Sequence, residues 1–246
     1  GLDYLGISLH AATPETYLRM YPKQNTETFL KVCTNLKLLA RYKSTGGTRL
    51  GLTFVVCHEN YKDIEPLFKL AEDTGVDEVM LKRFDSCKET RKLLLTGQDK
   101  DELQEILEGV ESLTKGKAIS RSIASFKNYL KGDVHEGRYT TKYYEYMPCY
   151  AGWSYARILI DGEVIPCCNC YKSMGNAFSD GFEHVWKTDL YRTFRTCSLR
   201  IESEPEYFKE CRCASCIHLN ANLGIFRWVH PWRHYLLKKR VWEDGR

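Results

Sequence analysis

With 246 residues, 43% of them apolar and 28% charged, the chain can hold one large domain or two of ordinary size, with a real core. A net charge of +4, from 36 basic and 32 acidic side chains, is too dispersed for a nucleic-acid surface, and no run of about 18 apolar residues suggests a membrane span. Eleven cysteines, an odd number in a long chain with no signal peptide, fit a reducing cytoplasm better than a secreted disulfide framework.

Gly1-Leu2-Asp3 runs directly into an apolar stretch, Tyr4 to Leu9, with no initiator Met, as expected of a chain cut from something longer. That stretch reads as a buried strand. Thr13-Pro14 gives an N-cap followed by proline at the first helical position. A longer helix carries Phe29, Val32, Cys33, Leu36 and Leu39 at helical spacing. Leu50, Leu52, Phe54, Val55 and Val56 make a second strand. Asp63 is expected to cap the next helix (Ile64, Leu67, Phe68, Ala71), Gly75 to end it, and Val79 to Phe84 to form a third strand. This β-α-β-α-β order predicts parallel strands with right-handed crossovers. Three parallel strands cannot be covered convincingly on both faces, so further strands are expected ahead of Gly1.

Residues 86–145 read as helical and charged. One stripe is Leu103, Ile106, Leu107, Val110 and Leu113, with Asp99 and Glu102 spaced as a capping box. A second is Ile119, Ile123, Phe126 and Leu130. Two amphipathic helices, packing on the sheet or bridging the halves, account for both.

From Cys149 the pattern changes. Ala156 to Ile160 and Glu163 to Cys167 flank Asp161-Gly162, a strong hairpin signal. Counting outward from a two-residue turn pairs Ile160 with Glu163 and Ala156 with Cys167. That holds Cys167 at the hairpin mouth, near the loop of Cys149. One helix is expected over Phe182, Val185, Trp186, Leu190 and Phe194, returning the chain to Cys213-x2-Cys216. Cys149, Cys167, Cys213 and Cys216 are therefore candidate ligands of a metal ion or an iron–sulfur cluster. Four thiolates also make a structural zinc site, and spacing does not separate the two. Cys33, Cys57 and Cys197 read as small buried hydrophobes. Cys168, Cys170 and Cys211 stay open as substitute ligands or neighbours of the site. His58, His184, His218, His230 and His234 show no ligand spacing, and Trp228, Trp232 and Trp242 read as packing for a terminal helix.

Cys149-x12-Gly162-x4-Cys167, then Gly175-Asn176, Val185-Trp186 and Cys213-x2-Cys216, resemble the SPASM/twitch auxiliary-cluster domain of radical SAM enzymes. Ile7-Ser8-Leu9-His10-Ala11, Thr13-Pro14-Glu15, Arg19, Phe54-Val55-Val56 and Gly75-Val76-Asp77-Glu78-Val79 resemble the second half of a radical SAM barrel. The resemblance covers nearly the whole chain, in order. It implies an α/β chain: the second half of a partial (β/α)6 barrel over 1–85, a helical linker over 86–145, and a small α+β SPASM/twitch domain with a C-terminal helix over 146–246. The family's C-x3-C-x2-C, which holds the cluster that cleaves S-adenosylmethionine, is absent. So are the later cysteines of the fuller C-x2-C-x5-C-x3-C pattern, and His10 stands where many relatives carry Asp.

The resemblance implies a cytoplasmic, oxidoreductase-type enzyme acting on a peptide or small molecule. S-adenosylmethionine and an auxiliary [4Fe–4S] cluster on the four cysteines would serve it, with a second [4Fe–4S] cluster in the missing N-terminal part. A low-potential donor such as flavodoxin or ferredoxin is the implied partner. Ser8, at the carboxyl end of its strand, would contact the methionine part of the cofactor, and Arg19 its carboxylate. From their place at the end of the third strand, Lys82 and Arg83 could face substrate or be ordinary surface residues. The other reading is a non-catalytic binding module that zinc or a cluster merely stabilises.

Overall fold

A computed structural model describes residues 2–43, 47–86, 89–132, 134 and 141–236, so Trp242 lies outside the described residues. The chain divides into two compact units, Gly1–Gly137 and Arg138–Arg246. Among the described residues no helix is long and apolar enough to cross a membrane.

The first unit is a parallel three-stranded sheet with helices between and after its strands. Strands β1 (Tyr4–Ser8), β2 (Arg49–Val56) and β3 (Glu78–Arg83) lie in that order, with Tyr4 opposite Arg49 and Gly51 opposite Glu78. Central β2 is the most buried, and its Leu50, Leu52, Phe54 and Val56 are all core residues. Helices α1 (Pro14–Met20), α2 (Thr26–Lys43) and α3 (Ile64–Thr74) supply the crossovers, and α4 (Gly97–Leu113) and α5 (Arg121–Leu130) follow. The Ser122 hydroxyl of α5 donates to Val79 O at 2.6 Å and accepts from Leu81 N at 3.2 Å. It thereby satisfies backbone groups that β3 turns away from β2 and closes that sheet edge.

Local signals fix most boundaries. Thr13 Oγ1 accepts from Thr16 N and Pro14 opens α1, while Gly75 (φ +78) ends α3 with its N–H on Ala71 and Glu72 carbonyls. Two caps differ from expectation. Asp63 stands at the start of α3 but makes no cap bond there. Its carboxylate instead accepts from Ala12 N (2.6 Å), Thr13 N (3.1 Å) and Thr16 Oγ1 (2.8 Å), so it anchors α1. The capping box of α4 is Thr96 with Asp99, three residues ahead of the expected pair, and Glu102 binds the Tyr61 hydroxyl.

The second unit is built from short elements: α6 (Thr141–Tyr144), α7 (Ala151–Ser154), β4 (Arg157–Ile158), β5 (Val164–Ile165), α8 (Phe182–Lys187), α9 (Asp189–Ser198) and α10 (Leu219–Val229). Val164, Val185, Tyr191, Phe194 and Phe226 form its buried centre. The hairpin register is one residue off the expected one: Arg157 faces Ile165 and Ile158 faces Val164. Leu159 N bonds Glu163 O and Gly162 N bonds Leu159 O, which makes the loop three residues long, with Gly162 left-handed at φ +86. That slip turns Ile160 fully out to solvent, at 101% exposure.

Asn176 finishes the hairpin. Its Nδ2 donates to Asp161 O, and its Oδ1 accepts from Phe178 N and Ser179 N. The expected single helix is broken at Thr188, whose hydroxyl caps α9 by accepting from Tyr191 N. Trp228 and Trp232 are 86% and 84% exposed, so they do not pack the terminal helix.

Candidate metal centre

Cys149, Cys167, Cys213 and Cys216 line one small cavity in the second unit. Tyr144, Asn169, Phe194, Ile201, Phe208 and the Cys170–Cys211 pair complete its walls. The four sulfurs come from three local structures. Cys149 precedes α7, Cys167 follows β5, and Cys213 and Cys216 are held by a single 3-10 turn in which Cys216 N donates to Cys213 O at 3.2 Å.

Polar backbone groups draw these loops together. Cys149 N donates to Ser198 O at the end of α9 (2.9 Å). Arg212 N donates to Asn169 O (2.7 Å), and Asn169 Nδ2 returns to Ser215 O (3.0 Å). Asn169 thus bridges the loop of Cys167 to the loop of Cys213 and Cys216. Cys170 and Cys211 are joined in a disulfide across the same two loops, so the structure pairs these thiols with each other.

The walls are apolar aromatic and aliphatic surface broken by sulfur, with no acidic or basic side chain among them. Burial pushes Cys149 up to about 11 and Cys213 up to about 12. Cys167 is also raised, first by its hydrogen bond with Cys168 and then by burial. Charged sulfur is costly in such a pocket unless a cation neutralises it. Soft thiolate donors on an apolar lining are the set that suits iron–sulfur clusters or zinc, so the residues present fit such a group.

Several contributors were not evident in the sequence. Tyr144 OH donates to Cys216 Sγ, and the buried Asn222 carboxamide reaches Cys149 Sγ. His218 Nε2 lies 3.1 Å from Cys168 Sγ, with Tyr155 against the imidazole ring. Cys167, Cys168 and His218 present ligand atoms within 4.8 Å of one another. The Cys168 thiol is held down, first by its hydrogen bond with Cys167 and then by the nearby His218. The nearness of Cys216 and His218 in sequence is the one signal that could have pointed to this group.

The other candidates lie in the first unit. Ser8 is exposed at the carboxyl end of β1. Arg19, with its side chain 54% exposed, donates to Thr16 Oγ1 and Glu59 O at 3.0 Å each and pairs with the Glu59 carboxylate at 3.4 Å. His10 Nδ1 accepts from Val55 N at 3.1 Å, which places its proton on Nε2, and burial lowers its pKa. Cys33 and Cys57 belong to this unit, and Cys197 lies outside the cavity lining.

Residues 149–217 match the family model of the SPASM iron–sulfur cluster-binding domain. No curated protein matches the chain significantly in sequence. Among solved structures the chain is similar to Streptococcus suis SuiB, at 16% identity and a TM-score of 0.50, over 78% of this chain and 45% of SuiB. Structures of SuiB bound to S-adenosylmethionine (17% identity) and to precursor peptide SuiA (16%) match with TM-scores of 0.47, each over 78% of this chain and 44% of the other. The likeness is one of fold, and the chain spans less than half the length of SuiB.

Proposed function

We propose, from the match of residues 149–217 to the SPASM iron–sulfur cluster-binding domain, that the chain is the C-terminal part of a radical SAM/SPASM enzyme and that Cys149, Cys167, Cys213 and Cys216 hold its auxiliary [4Fe–4S] cluster. The observation that carries this reading is the convergence of these four thiols on one apolar cavity. The substrate is a peptide or small molecule modified by radical chemistry. In such an enzyme a second [4Fe–4S] cluster, held outside this chain, would supply the reductive cleavage of S-adenosylmethionine, with electrons from a flavodoxin or ferredoxin. When bound, the auxiliary cluster supplies one-electron transfer. This chain's residues would exclude water from it with Phe194, Ile201 and Phe208 and set its potential through burial and hydrogen bonds to sulfur. Ser8 is the proposed contact to the methionine part of the cofactor. Arg19 is the proposed carboxylate contact and the weaker of the two, because Glu59 and Thr16 already engage its guanidinium.

A second reading, a zinc-stabilised binding module, draws support from the Cys167–Cys168–His218 group, whose mixed sulfur and nitrogen donors suit Zn²⁺. Anaerobic reconstitution followed by iron, sulfide and zinc analysis separates the two. Iron and sulfide in equal amounts, with broad visible absorbance, support the cluster. Stoichiometric zinc with a colourless protein overturns it.

A further inference from the structure

Two buried polar side chains aim their donors at the candidate ligands. Tyr144 OH donates to Cys216 Sγ at 2.9 Å. Asn222 Nδ2 donates to the Tyr144 hydroxyl oxygen at 2.8 Å and reaches Cys149 Sγ at 3.8 Å. On its other side Asn222 Oδ1 accepts from Tyr150 N at 2.8 Å. Asn222 is 1% exposed and Tyr144 7%.

A carboxamide has two N–H donors and an acceptor oxygen with two lone pairs, and these contacts use both donors and one lone pair. The donors run in one direction, from amide to hydroxyl to sulfur and from amide to sulfur. A neutral thiol is a weak acceptor, whereas a thiolate accepts a charge-assisted bond roughly twice as strong as a neutral one. The arrangement is therefore matched to sulfurs that carry negative charge. Asn222 also stands six residues beyond Cys216, where the fuller C-x2-C-x5-C pattern has its next cysteine. This chain places an amide donor there.

We propose that Tyr144 and Asn222 are positioning residues for the auxiliary cluster, a hydrogen-bonded bracket that holds Cys216 and Cys149 and raises the cluster's reduction potential. The inference rests on the cluster assignment above. Donors to ligand sulfur favour the form with more negative charge, and that form is the reduced one.

The test uses the full chain, reconstituted anaerobically with iron and sulfide and titrated electrochemically with electron paramagnetic resonance as the readout. Tyr144→Phe removes only the hydroxyl. Asn222→Leu removes both donors without adding charge, and gives up the acceptor for Tyr150 N. Each should lower the equilibrium constant for reduction about tenfold, a shift of about 59 mV for a one-electron couple. Tyr191→Phe, a buried tyrosine of the same core outside the cavity lining, should leave the potential unchanged.

Fully loaded variants with the wild-type potential overturn the proposal. So does a Tyr144→Phe protein that melts normally but takes up no iron, because the hydroxyl would then serve assembly. If Tyr144→Phe does not fold, Asn222→Leu decides on the same criterion. Wild-type protein that takes up zinc and no iron refutes the cluster assignment itself, a result distinct from an unchanged potential.

Discussion

Taking the metal-free protein from about pH 8 to about pH 10 tests the burial of the candidate ligands. An unfolded cysteine titrates near 9.0, whereas burial holds Cys149 at about 11 and Cys213 at about 12. In that interval the folded state binds more protons than the unfolded one. Their contribution to stability is therefore complete below about 9 and is lost as the pH climbs towards 11 and 12. At about pH 10 each thiol is one unit past its unfolded value and still protonated when folded. The loss is about 1.4 kcal/mol apiece and about 3 kcal/mol for the two. All five tryptophans, from Trp153 to Trp242, lie in the second unit, so their fluorescence follows that unit alone. Anaerobic urea curves for wild type and a Cys149→Ala, Cys213→Ala double variant cancel the tyrosines and lysines common to both. Wild type should lose about 3 kcal/mol more than the variant between the two pH values. Equal losses would refute the picture of neutral thiols held in an apolar pocket. In metal-loaded protein the ligand sulfurs have already released their protons, and the extra loss should vanish.

Gly162→Ala places a side chain at φ +86, with its Cβ 2.5 Å from Asn176 Oδ1, and should cost about 2 kcal/mol in the tryptophan-monitored urea midpoint. An unchanged midpoint would remove the case for the three-residue loop. Asp63→Ala leaves Ala12 N, Thr13 N and the Thr16 hydroxyl without their carboxylate acceptor. Hydrogen exchange at the Ala12 and Thr13 amides should speed up, with about 2–4 kcal/mol of protection lost. Exchange at the wild-type rate would show that the carboxylate does not anchor α1. Cys170→Ser and Cys211→Ser should leave the iron content of reconstituted protein at the wild-type level, since these two sulfurs pair with each other. A matching loss of iron in either would make that residue a ligand.

What could be read from the sequence depended on how local each signal was. Thr13-Pro14 and Gly75 set helix ends through bonds within one turn, and both act as expected. The parallel β1-β2-β3 order followed from the alternation of strand and helix. Asp63 was misread because a carboxylate at a helix start can serve more distant donors, and Ala12 and Thr13 outcompete its own turn. Asp161-Gly162 marked the hairpin correctly, but the dipeptide suits either a two- or a three-residue loop. The left-handed Gly162 closing onto Leu159 decided the register. Thr188 lay inside an apolar periodicity that continued through it, which hid its role as a cap. Cysteine spacing brought four sulfurs into one candidate set, and all four line the cavity. Tyr144, Asn169 and Asn222 were invisible because an amide or phenol has no spacing rule. Their meaning arises only where loops far apart in sequence meet.

The Asn169 bridge has a consequence for the life of the protein. Backbone and amide bonds tie the loop after β5 to the loop of Cys213 and Cys216, beside the disulfide that spans them. In small zinc-dependent domains the ion is the folding nucleus, and its removal dissolves the chain. Here the Asn169 hydrogen bonds and the Cys170–Cys211 disulfide join the two loops through the protein's own atoms, so their meeting does not hang on a single ion.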